Sequence, residues 1–139
     1  MVGTRDSSFR RVVLAGDVAV VLLLVGVGLE SHGSSPVRQP VHWLVTAAPF
    51  VVGWLVTSYA FDTLSPDVYG ELRPTAVRVP LAWVSAAALG AVLRYGPRVA
   101  VGEPPELFTA AVFASVMTGF GLSLLLPWRL LVVFVCRRG

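Results

Sequence analysis

The chain has 139 residues, 55% of them hydrophobic and 14% charged, with a net charge of +3 and a mean hydropathy of +0.76. Soluble domains carry roughly 25% charged residues, and so small a chain could not hide this much apolar surface from water. Every basic residue is arginine and most stand at the ends of apolar runs. That placement argues against a nucleic-acid interface, and the single cysteine, Cys136, excludes an intrachain disulfide.

Four apolar runs follow one another. The first, Val12 to Leu29, is interrupted only by Asp17. It is too long for the h-region of a signal peptide and no small-residue cleavage site follows it, so it reads as a retained helix. Glu30 to Pro36 ends it in turn-forming residues. The second run, Trp43 to Phe61, carries no formal charge. The third, Thr75 to Leu93, is interrupted by Arg78, and Pro80 marks either a kink or the first turn. Tyr95-Gly96-Pro97 closes it. The fourth, Leu107 to Trp128, opens on Pro104, Pro105 and Glu106, where proline and an acid suit a helix start.

Each run is near the ~20 residues that cross ~30 Å of hydrocarbon, and in lipid the backbone must satisfy itself by helix formation. The expected fold is an all-α, four-transmembrane-helix bundle forming one membrane domain over residues 1–139. Helices are expected at about 12–30, 42–61, 75–95 and 106–127. Residues 128–136 either lie at the interface or continue the fourth helix past Pro127. Arg5, Arg10, Arg11, Arg73, Arg78, Arg129, Arg137 and Arg138 fall on one side, and Arg38, Arg94 and Arg98 on the other. The positive-inside rule then puts both termini in the cytoplasm, with the plasma membrane as the expected location. Trp43, Trp83 and Trp128 fall near run ends, as an interfacial aromatic belt would, and Trp54 lies deeper.

A wider pattern accompanies these runs. Asp17 is followed by Ser31-His32-Gly33, then Ala48-Pro49-Phe50 and Gly53-Trp54. Arg73-Pro74-Thr75, Trp83, Gly90, Arg94 and Trp128-Arg129 complete it. With these residues the chain resembles the membrane proteins of domain-of-unknown-function family 3054 over nearly its whole length. The resemblance implies a small multi-helix membrane protein and carries no activity, so no functional residue comes with it.

Asp17 is the first candidate site. A charged Asp at mid-membrane costs about 2.5–3.5 kcal/mol on insertion scales, which favours a partner. It reads either as a proton or cation site facing the bundle interior, or as one half of an ion pair with Arg78. Glu30, His32 and Arg94 form a candidate outer polar layer. Glu30 and Arg94 would stand at similar heights, about 27–28 Å along their helices at 1.5 Å per residue. Pro49 with Gly53 could break the second helix and free carbonyls for ions. His32 and His42 flank one loop, but nothing beside them has the spacing of a metal site, so no metal and no cofactor are expected. Small residues in the third helix, such as the Ala86–Gly90 pair, suit close packing within the bundle or in a homo-oligomer.

No phosphate loop, nucleophile elbow or paired-cysteine motif is present, which points away from an enzyme. The function read from these residues is a small transporter or channel subunit with its ionisable site at Asp17. The alternative is a structural or accessory membrane protein that binds lipid or a partner protein, with Asp17 serving only in an ion pair. The bilayer is the one partner expected in either case, and the substrate stays open.

Overall fold

Long apolar segments in lipid have one way to satisfy their backbone groups, and the computed structural model is accordingly helical. It describes residues 2–139, with side chains from Asp6 onward, so the Arg5 side chain lies outside the described residues. The elements are α1 (Val2–Ser31), α2 (Pro40–Ala60), the short α3 (Pro66–Gly70), α4 (Leu72–Ala100) and α5 (Leu107–Arg138). Among the described residues, α1, α2, α4 and α5 are long and apolar enough to cross a membrane. Both ends of the chain lie at one end of the bundle, where Asp6 of α1 bonds Tyr69 and Cys136 of α5 packs beside it.

The helices are longer than the apolar runs. α4 continues through Pro97 to Ala100, and α5 continues through Pro127 to Arg138. Pro80 lies inside α4, and α2 is unbroken across Pro49. Each interior proline removes one i→i−4 bond, yet none ends its helix, because packing in the bundle holds the segment on either side. Only α3 has no counterpart in the sequence reading. Its start is nonetheless conventional: Ser65 precedes Pro66 in the first turn, with Asp67 beside it.

Three helices end alike. Gly33 (φ 81°) and Gly102 (φ 79°) take the left-handed conformation just past α1 and α4. The Ser34 and Glu103 amides then reach back to the Leu29 and Arg98 carbonyls at 2.9 and 2.8 Å, as in a Schellman ending. Past α2 the left-handed residue is Asp62 (φ 52°), and the Thr63 amide reaches the Ser58 carbonyl at 2.9 Å. A residue with a Cβ is strained there, so Asp62→Gly should raise stability by about 1 kcal/mol. The ion pair it loses, with Arg78 at 4.0 Å, is half exposed and weak. Thermal unfolding in detergent checks this; a lower midpoint would mean that Asp62 matters through its side chain.

α1, α2, α4 and α5 form a ring in which α2 packs against α4, α4 against α5, and α1 against both α2 and α5. The α2–α4 contact is close because its residues are small. A Cβ at Gly53 would stand 2.7 Å from the Ala86 carbonyl oxygen, and one at Gly90 would stand 2.5 Å from the Phe50 ring. The expected small-residue face of α4 thus meets α2 inside the bundle. Outward-facing Val, Leu and Phe side chains, among them Leu23, Val56, Leu81 and Phe120, stay exposed and supply the lipid-facing surface.

The tryptophan indoles bond from one helix to another. The Trp43 indole N–H donates to the Leu22 carbonyl, that of Trp83 to Met117 and Thr118 carbonyls, and those of Trp54 and Trp128 to the Asp17 carboxylate. Each ring lies against another helix, so its N–H tethers two elements. At the termini end, Tyr69 of α3 donates to the Asp6 carboxylate and its ring lies 5.2 Å from that of Phe9. Burial, then the Asp6 acceptor, push the Tyr69 hydroxyl up to about 12.

Candidate functional site: the buried Asp17 ion pair

Asp17 sits midway along α1 and turns into the ring, where its side chain is 0% exposed. Such a group needs a counter-charge and hydrogen-bond donors to be tolerable. α5 supplies the charge. Because that helix runs on past Pro127, Arg129 is carried along the bundle interior, and its side chain is also 0% exposed. Arg129 Nε donates to Asp17 Oδ1 at 2.8 Å and Nη2 to Oδ2 at 2.6 Å, the two-pronged arrangement that guanidinium and carboxylate planes favour.

The remaining valences are filled as well. Trp128 Nε1 donates to Oδ1 at 3.1 Å and Trp54 Nε1 to Oδ2 at 3.2 Å, so the carboxylate accepts four bonds. Arg129 Nη1 donates to the Thr63 carbonyl at 2.7 Å. The left-handed turn at Asp62 directs that carbonyl back into the bundle, which leaves Thr63 itself buried. The guanidinium carbon lies 5.9 Å from the Trp54 ring centroid, close enough for a cation–π contribution. One residue from each of α1 and α2, two from α5 and the loop after α2 therefore meet at a closed, electrically neutral centre.

The sequence-predicted residues fall differently. Arg78 is not the partner of Asp17; it lies on the half-exposed outer side of α4, 4.0 Å from Asp62. Glu30 is exposed and makes no ion pair with Arg94 among the described residues. Arg94 instead stacks 4.9 Å from the Phe113 ring and 5.7 Å from that of Tyr95. His32 is exposed at the end of α1, and no group of three or more metal-ligating side chains exists among the described residues. Pro49 and Gly53 do not unwind α2; Gly53 is where α4 approaches. Sequence reasoning missed Arg129, Trp54, Trp128 and Thr63 as site residues.

Chemically, this arrangement has little to offer a transported ion. Both oxygens of Asp17 already accept two bonds each, and a guanidinium beside them repels cations. A proton could load only by displacing one of these four donors.

No curated protein and no solved structure matches the chain. One family does: the sequence profile described as protein of unknown function (DUF3054) matches residues 14–132. That span holds Asp17, Trp54, Trp128 and Arg129, and the chain belongs to this family.

Proposed function

We propose that the protein is a structural or accessory multi-pass membrane protein, one that binds lipid or a partner protein and moves no ion through Asp17. The observation that carries this reading is the saturation of the Asp17 carboxylate by Arg129, Trp54 and Trp128 in a site closed to solvent. Intramembrane carboxylates that relay protons or cations need a free lone pair, and all four of this one's accept bonds from Arg129, Trp54 and Trp128. The helices also run through Pro49, Pro80 and Pro127 without unwinding, so no broken helix presents carbonyls to an ion. Loops this short leave little protein outside the bundle for an active site, which supports a non-enzymatic role.

The arginine distribution supports cytoplasmic termini. Arg129 is neutralised inside the bundle and drops out of the comparison, yet arginine remains in excess at the termini end.

Proton flux tests the reading. Liposomes that contain the full chain and a pH-sensitive dye should dissipate an imposed proton or sodium gradient no faster than protein-free vesicles. A gradient-driven flux that Asp17→Asn abolishes would overturn it.

A further inference from the structure

At the end of the bundle away from the termini, the ring is not closed. A cavity of about 290 Å³ opens between α1 and α5, walled by Leu24, Val25, Phe113, Met117 and Phe120, with Arg94 of α4 at its side. We infer that this cavity binds a single-chain amphiphile with a carboxylate head, a long-chain fatty acid, its head on Arg94 and its chain along the apolar walls.

Arg94 carries the argument. Its Nε is buried and has no hydrogen-bond partner. No carboxylate lies within ion-pair distance of it among the described residues. The faces of Phe113 and Tyr95 offset part of the cost of its charge, but a guanidinium at the edge of hydrocarbon with an unused donor is an incomplete site. The contrast with Arg129, which finds a full set of partners in the same bundle, is sharp. Arg98, one turn further along α4, joins Arg94 in lining a second cavity of about 330 Å³ beside Pro49. Two like charges spaced i, i+4 repel weakly, and together they raise the positive potential at the head position.

The walls decide what kind of anion fits. They are mostly apolar, with Ser31, His32 and Thr46 the polar side chains beside Arg94, and Val27 and Val116 at the cavity are exposed on the lipid-facing surface. An inorganic anion would have to leave water to cross them. A fatty acid already resides in the bilayer with its chain in hydrocarbon and its carboxylate near the interface. The planar guanidinium meets a carboxylate with two parallel bonds, and the volume suits one chain. This inference rests on the binding reading above in treating the cavity as an end point and not a passage. Affinity and flux are read separately, so either can fail while the other stands.

The test uses the purified full chain in uncharged maltoside micelles. It is titrated with palmitate, with hexadecanol (the same chain without the charge) and with phosphatidylglycerol, and binding is followed by native mass spectrometry. Palmitate should bind at least about tenfold more tightly than hexadecanol, and Arg94→Gln should abolish that preference. Gly28 lines the cavity and a Cβ there meets nothing within 4 Å, so Gly28→Phe should fill it and weaken both ligands with Arg94 intact. Equal binding of the acid and the alcohol, a preference that survives Arg94→Gln, or displacement of palmitate by a lower concentration of phosphatidylglycerol would each overturn the inference.

Discussion

Arg129→Gln is expected to lower stability by about 3–5 kcal/mol, because it leaves the Asp17 carboxylate buried in the bundle without its counter-charge. Asp17→Asn should cost a similar amount by stranding the guanidinium. The double variant Asp17→Asn/Arg129→Gln removes both charges, and the Asn amide oxygen keeps an acceptor for one of the two indole N–H groups that now donate to separate carboxylate oxygens. It should be more stable than the two single losses predict when summed, by about 2 kcal/mol or more. The Thr63 carbonyl loses its 2.7 Å donor in both Arg129 variants, so the loop after α2 should loosen with them. Arg78→Gln serves as the comparison, and its half-exposed contact with Asp62 should be worth under about 1 kcal/mol. Unfolding titrations in mixed micelles measure all four.

The second large effect concerns Gly121. A Cβ on that residue would stand 2.2 Å from the Trp83 indole. The ring cannot slide away, since its N–H is held 3.2 Å from both the Met117 and Thr118 carbonyls and it packs at a 55° tilt against Trp54, centroids 6.0 Å apart. Overpacking of this kind costs about 1–3 kcal/mol, against about 1 kcal/mol gained by replacing a helical glycine. Gly121→Ala should therefore destabilise, and Gly121→Leu should prevent folding. Gly119 is the control: it is exposed and a Cβ there meets nothing within 4 Å, so Gly119→Ala should be neutral or stabilising. Trp83→Phe combined with Gly121→Ala should recover part of the loss. Equal effects at positions 119 and 121 would mean that the indole is not seated on α5.

What the sequence made legible is what the bilayer itself dictates. Hydrocarbon demands about 20 apolar residues per crossing, so Val12 to Leu29 and its three successors stood out, and the family resemblance covered the same stretch. The ends of α4 and α5 did not, because Pro97 read as a stop and Pro127 fitted an end as well as a continuing helix. In a bundle they are tolerated, since neighbouring helices hold the chain on both sides of the missing bond.

The misplacement of Asp17's partner followed from reading Arg129 as an end-of-bundle charge. Counting Arg129 with the cytoplasmic-end arginines left Arg78 as the arginine at matching height. Yet Arg129 is flanked by Leu124-Leu125-Leu126 and Leu130-Leu131-Val132-Val133, an apolar setting that an interfacial residue does not need. A lone acid in the first run and a lone base of opposite sign in the last were the available signal. Trp54 and Trp128 gave none beyond their depth, because an indole N–H seeks whatever acceptor the packing brings. Which residues converge depends on helix rotation, and that is set by contacts such as Gly53 on Ala86, not by hydropathy.

The ion pair can be measured directly. Magic-angle-spinning NMR on the full chain in lipid should show strong dipolar coupling between the Asp17 carboxyl carbon and a guanidinium nitrogen, unchanged in Arg78→Gln and absent in Arg129→Gln. Coupling that disappears in Arg78→Gln, or that is missing from the unmodified chain, would contradict the closed Asp17–Arg129 centre.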